Sequence, residues 1–339
     1  MNEIINSFPH WSRFNNKTIL ISGANGLLPS YMVDVFLTIS RKHELKIVCL
    51  VRNRKKAEIR FSHWEGHENL FLFEHDVNIP FLYSGKIDFI IHAASQASPR
   101  YYGIDPIGTF KANTIGTINL LDLAVEKNVE AFLFFSSGEV YGNLNEMDVP
   151  TKEDVYGYLD PIKVRSCYAE SKRMGENMCI SYFAQKNVKS KIVRPFHTYG
   201  PGLSLNDGRV YADFVKNCIN NEDIVINGDG LAKRSFCYIS DAILGFFYVL
   251  VNGKNGEVYN VGNPNEEYSI KELANSIAEL FPEKKLNVIF NNEVQNNSEY
   301  LKSPISRNCP NINKIIQLGW IPKISIETGF RRTINSFLI

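Results

Sequence analysis

Long apolar runs are missing from this chain. No stretch approaches the ~18 consecutive apolar residues that a membrane-crossing helix needs, so no membrane partner is expected. The first residues, MNEIINSFPHWSRFNNK, lack a basic segment followed by an apolar one, so they do not read as a secretory signal. Charge of one sign is also missing. Lys and Arg number 37 and Asp and Glu 36, so no net field recommends nucleic acid or an anionic surface. Cysteine is sparse and scattered: Cys49, Cys167, Cys179, Cys218, Cys237 and Cys309, with no C-x-x-C. That pattern predicts reduced thiols in a cytoplasmic protein, with neither disulfides nor a thiolate metal site. His63 and His67 have helical i, i+4 spacing, and His75 follows. Gly66 interrupts the segment and no third ligand is near, so solvated histidines are expected and no metal.

What is present is an alternation. KTILISG (17–23), LKIVCLVRN (45–53), NLFLFEHDV (69–77), KIDFIIHAAS (86–95), AFLFFSS (131–137) and KSKIVRPF (189–196) read as buried strands. Between them, helical spacing marks 27–40 and the segments near 106–127 and 166–187. Continuous apolar strands alternating with amphipathic helices predict an α/β protein with a doubly wound parallel sheet of Rossmann type. The last third has helix signals near 207–220, 240–252 and 269–281. It also has short strands such as DIVIN and EVYNVG, and an Asn-rich stretch, NNEVQNNSEY. It predicts a smaller C-terminal lobe. The expected division is 1–195 plus about 225–262 for the sheet domain, and about 196–224 plus 263–339 for the lobe.

Ligands in such sheets bind beyond the C-terminal strand ends, and the candidate residues lie there. The first strand runs into Gly23, Ala24, Asn25, Gly26, Leu27, Leu28 and Pro29. Glycines at this turn let a pyrophosphate approach backbone amides at a helix N-terminus. The pattern is G-x-x-G, and Pro29 is tolerated in a first helical turn. Arg52 follows the second strand, where it could stack on an adenine or neutralise a 2′-phosphate. Asp76 and Val77 follow the third, and Ala93, Ala94 and Ser95 the fourth. Tyr168 and Lys172 are four apart, so on a helix they share a face. An ammonium beside a phenol favours the phenolate, which can accept a proton from a sugar hydroxyl. Ser137 ends the preceding strand, and Glu139 follows it in SSGEVYG. Glu139 reads either as a surface acid or as a group aimed at a substrate. Arg209 and Arg234 suit bidentate phosphate binding, or structural ion pairs.

The glycine turn, HAAS, DPIGTFKANTIGTINLLDLA, SSGEVYG, YAESK and RPFHTYGPG together resemble the extended short-chain dehydrogenase/reductase family, in its nucleotide-sugar branch. The similarity spans roughly 17 to 283. HAASQASPRYYGIDPIGT, DPIKVRSCYAESKR, YGPGLSLNDGRV and KRSFCYISDA look most like UDP-glucuronate decarboxylases. The resemblance implies bound NAD, with NADP left open by Arg52, and a UDP-sugar substrate. It implies oxidation at C4 of the sugar, with Tyr168 as base and Ser137 on the same hydroxyl. Lys172 then supports Tyr168 and holds the nicotinamide ribose, and Pro195 lies at the cofactor edge. A uronic acid with a 4-keto group is a β-keto acid and loses CO₂. Ser98, Gly138, Glu139, His197, Arg209 and Arg234 fall on the substrate side, with Glu139 near C5. Three positions depart from the pattern. Gly138 stands where dehydratases carry aspartate and decarboxylases serine. His197 and Gly202 stand where asparagine and arginine are usual, which suggests an altered sugar. C4-epimerase or 4,6-dehydratase activity is the alternative. A non-catalytic NAD(P)-binding sensor is the alternative of another class. Relatives pair helices into a four-helix bundle, which implies a homodimer through 106–127 and 166–187.

Overall fold

The computed structural model describes residues 1–291, 303 and 305–338. Most of the Asn-rich stretch lies outside the described residues. The strands are β1 (Thr18–Ser22), β2 (Lys46–Val51), β3 (Leu70–Glu74), β4 (Phe89–His92), β5 (Ala131–Phe135), β6 (Ser190–Pro195), β7 (His197–Tyr199), β8 (Ile224–Asn227), β9 (Lys233–Tyr238), β10 (Glu257–Val261), β11 (Glu267–Ser269), β12 (Val288–Asn291) and β13 (Arg307–Asn308). Seven of them form one sheet in the order β10-β6-β5-β4-β1-β2-β3, parallel throughout. This is the doubly wound α/β fold expected from the alternation. Its central strands β1, β4 and β5 are buried at every position, because helices cover both faces.

One cover carries Phe14, Val33, Phe36, Phe246 and Phe247; the other carries Leu120, Leu121, Leu123 and Cys179. The second comes from the helices Pro106–Lys127 and Cys167–Lys186. Asp105 caps the first of these. Its side chain accepts from the Gly108 N–H at 2.9 Å, and Pro106 opens the helix. A Cβ at Gly108 would lie 2.0 Å from Asp105 Oδ2, so this cap requires glycine there. The second helix is pinned from behind by an ion pair. Arg194 of β6 donates to both carboxylate oxygens of Glu176, at 2.8 and 2.6 Å, and Ser136 donates to the same carboxylate.

Beyond β6 the chain builds smaller sheets. β8 pairs with β12. β9 pairs with β7, β11 and β13. EVYNVG, read as part of the last third, returns as β10 to the edge of the main sheet beside β6. All six cysteines are free. Among the described residues, no helix is long and apolar enough to cross a membrane, and no group of three or more His, Cys, Asp or Glu is placed to hold a metal. His63 and Trp64 donate to Asp34, beside Arg60 at 2.6 Å, so this segment ties down the helix Leu27–His43.

Candidate active site

The turn after β1 is built around a close approach. Gly23 has φ +65°, and a Cβ there would lie 2.7 Å from Ala94 Cα and 2.9 Å from Ala94 N. No other residue fits. Gly26 then caps the helix Leu27–His43, with its N–H on Gly23 O at 2.9 Å. The first turn, with Leu27, Leu28 and Pro29, contains no acidic side chain, and its amides have no partner within the helix. It is a ready anion site. Asn25 is half-buried in the turn.

A buried hydrogen-bond chain fixes this edge. Thr117 donates to Asn113 O at 2.7 Å, so its oxygen accepts from His92 Nε2–H at 3.0 Å. Nδ1 is then the acceptor for Ser22 Oγ–H at 2.8 Å, and Ser22 Oγ accepts from the Ala94 N–H. Burial pushes His92 down to about 3, so it stays neutral and keeps this tautomer. Ala93 is half-buried beside it, and the Ser95 Oγ is buried without a partner among the described residues. Arg52 is exposed at the end of β2, where its charge favours ionised Asp105. Asp76 turns the chain by accepting from the Asn78 N–H, and Val77 packs on Gly116 of the helix Pro106–Lys127.

At the end of β5, the Ser137 hydroxyl accepts from the Glu139 N–H at 3.2 Å and acts on the Tyr168 phenol by favouring its ionised form. Tyr168 is 6% exposed and stacks on Tyr102, rings 5.0 Å apart. Burial raises its pKa; Ser137, Arg209 and Arg165 pull it down, and Glu139 pushes it up. The net direction is upward, opposite to the lysine effect expected from spacing alone. The Lys172 ammonium does not reach the phenol. Nζ lies 5.8 Å from the ring centroid and donates to Phe135 O at 2.6 Å. At 2% exposure, Lys172 is itself pushed down to about 7 by burial.

Glu139 is half-buried. Its Oε2 accepts from Arg165 at 3.0 Å, and the Arg165 guanidinium covers the Tyr102 ring at 4.8 Å. Neither Arg165 nor Tyr102 was picked out from the sequence, although both lie in segments that carried the resemblance. Ser98 donates to Asp207 O, and Arg209 donates to Ala97 O at 2.8 Å, which brings the 207–209 loop against the segment that follows β4. Pro195 ends β6 opposite Val261. His197 begins β7, where burial and the charges of Arg234 and Arg209 hold it well below its ordinary pKa, neutral. Arg234 donates to Ile305 O at 2.7 Å and to Ser306 O at 3.3 Å, so it also anchors the segment leading into β13. From β13, Asn308 reaches Gly138. No pattern in the sequence marked Asn308, a lone polar residue in a two-residue strand.

Residues 19–262 match the model of the NAD dependent epimerase/dehydratase family. The chain belongs to that family. The NAD dependent epimerase/dehydratase relatives include UDP-glucuronic acid decarboxylase 1 of Xenopus tropicalis, 38% identical over 328 residues, 96% of this chain and 73% of that protein. UDP-glucuronic acid decarboxylase 3 of Arabidopsis thaliana is 35% identical over 93% of this chain and 87% of its own length. A UDP-glucuronic acid 4-epimerase from Bacillus cereus, solved in complex with UDP-glucuronic acid and NAD, has the same fold. Its TM-score is 0.78 at 22% identity, over 95% of this chain and 99% of that one. The cradle at Gly23, with its glycine-only approach to Ala94 and its unpaired helix amides, fits the dinucleotide of this family.

Proposed function

We propose that this protein is an NAD-dependent nucleotide-sugar enzyme that acts through a 4-keto sugar and decarboxylates UDP-glucuronate. The observation that carries the reading is the buried Tyr168 phenol beside Ser137, which favours its ionised form, with Glu139 two residues along the same turn. The decarboxylases among its relatives support the substrate. Gly23, Asn25, Gly26, Leu27 and Leu28 would hold the pyrophosphate, with Asp76, Val77, Ala93, Ala94, Ser95 and Pro195 along the dinucleotide. Arg52 would meet the adenosine end. NAD, when bound, accepts hydride from C4 and returns it.

Ser137 and Tyr168 share the C4 hydroxyl, and Tyr168 takes its proton as the carbonyl forms. Lys172 holds the nicotinamide ribose and supplies positive charge as the phenolate develops. The resulting β-keto acid releases CO₂, its C5–C6 electrons passing into an enolate. C5 then takes a proton, with Glu139 arranging that end of the sugar. Ser98, Gly138, His197, Arg209 and Arg234 line the substrate side. Release of labelled CO₂ from UDP-glucuronate carrying the label at C6 is the expected result; no release, with turnover of another nucleotide sugar to an epimer or a dehydrated product, would sink the decarboxylase reading.

The protein is proposed to act as a homodimer. Ile107, Phe110, Ile118 and Val125 are exposed along the helix Pro106–Lys127, with Met174 and Ile180 on Cys167–Lys186. An apolar stripe across two neighbouring helices suits a second copy. Six free thiols support a reducing location such as the cytoplasm.

A further inference from the structure

Asn308 belongs to a part of the chain beyond the family match, which ends at 262. It is 7% exposed and sits on β13, paired with Arg234 of β9. His197 of β7 pairs with Phe236, two residues further along β9. Paired residues share a face, and so do residues two apart on a strand. Asn308, Arg234, Phe236 and His197 therefore project from one face of this small sheet. That face meets the turn after β5: Asn308 Nδ2 donates to Gly138 O at 3.4 Å. A carbonyl only accepts, so the amide nitrogen must face it and the oxygen must face away. Asn308 Oδ1 is buried with no partner among the described residues, as is His197 Nδ1.

An unmet buried acceptor is costly, and it points to a donor that arrives with a ligand. Gly138 lies directly against Asn308. A Cβ at 138 would lie 3.3 Å from Phe196 Cε1, slightly tight, and 3.4 Å from Asn308 Oδ1, at ordinary contact, so any longer side chain there would press on the amide. The missing side chain at 138 and the amide at 308 thus share one space.

We infer that Asn308 is a specificity-determining residue whose Oδ1 accepts a hydrogen bond from a hydroxyl of the bound sugar, in the space left by Gly138. An acceptor-only atom cannot recognise a carboxylate at neutral pH, so the group it reads is a donor, here a sugar hydroxyl. This assignment rests on the reading of the cleft as a nucleotide-sugar site.

The test is calorimetric titration of the NAD-loaded wild type, Asn308→Leu and Gly138→Ser with UDP, UDP-glucuronate, UDP-glucose and UDP-xylose. Asn308→Leu should weaken the preferred sugar nucleotide about tenfold, the size of one lost hydrogen bond with its desolvated donor, and leave UDP within twofold. Gly138→Ser, by pushing on the amide, should lower the same sugar-to-UDP ratio. Unchanged sugar affinity in Asn308→Leu would overturn the assignment. So would an equal loss for UDP, which marks a structural role, or a wild type that holds no sugar nucleotide more tightly than UDP. A wild type that prefers a sugar other than glucuronate tells against decarboxylation alone, and Asn308 is then judged on that sugar.

Discussion

The same burial disfavours the charged form of both Tyr168 and Lys172. The phenol is pushed up and the ammonium is pushed down, to about 7. The phenol gives up its proton only when the surroundings compensate, and Ser137, Arg165 and Arg209 are the groups that do so. Tyr168→Phe is expected to cut kcat by ~10²–10⁴ with nucleotide-sugar affinity changed only a few-fold. Retained turnover in steady-state assays would refute a proton-transfer role. Lys172 has a consequence for stability. Between about 7 and its ordinary 10.5, the unfolded chain carries the proton and the folded chain does not, so raising the pH favours the fold. Below about 7 both states are protonated and the burial cost is at its full value. Denaturant melts of wild type against Lys172→Met should show the difference moving by roughly 1–3 kcal/mol in favour of wild type from pH 7 to 9. A flat difference would contradict the burial argument. The i, i+4 spacing of these residues was legible in the sequence. The direction of the phenol's shift was not, because spacing shows who can meet and not how much water is excluded.

At the scale of elements, the helix Cys167–Lys186 carries Tyr168 and Lys172, and its back is locked by Glu176. That carboxylate takes two donors from Arg194 and one from Ser136, the residue next to Ser137. Glu176→Gln should destabilise the protein by about 3–5 kcal/mol, since it leaves the fully buried Arg194 without its counter-charge. Thermal unfolding checks this, and a loss under ~1 kcal/mol would mean that the pair is not the anchor. The helix itself was readable near 166 to 187, and the structure forms it over Cys167–Lys186. The ion pair was not, because Arg194 lies inside strand β6 and nothing local names its partner. The same limit hid Asn308. Apolar periodicity marks long elements, whereas a two-residue strand is specified by its pairing with β9, far away in the chain. EVYNVG shows the reverse case: its strand character was local and legible, but its place beside β6 depended on the chain's return.

Across the whole molecule, the alternation of apolar strands and helices was enough to foresee a parallel sheet covered by helices on both faces. Strand order follows from that pattern only once short, uncrossed connections are assumed. The apolar stripe of Ile107, Phe110 and Ile118 could not be divided between core and interface by sequence, because both need the same residues; exposure separates them. Phe110→Glu together with Ile118→Glu should convert a dimer to a monomer in sedimentation, with far-UV dichroism unchanged. A wild type that sediments as a monomer at working concentration would remove the dimer.

The central claim, oxidation at C4 followed by bond-breaking beyond C5, is tested most directly by proton NMR. The NAD-supplemented protein is given UDP-glucuronate in D₂O, followed by UDP-, dTDP-, GDP- and CDP-hexoses. The account predicts a UDP-pentose or its 4-keto form carrying deuterium at C5. A product that keeps C6 and carries no deuterium at C5 would contradict it, and would assign Tyr168 and Ser137 to epimerisation at C4 instead.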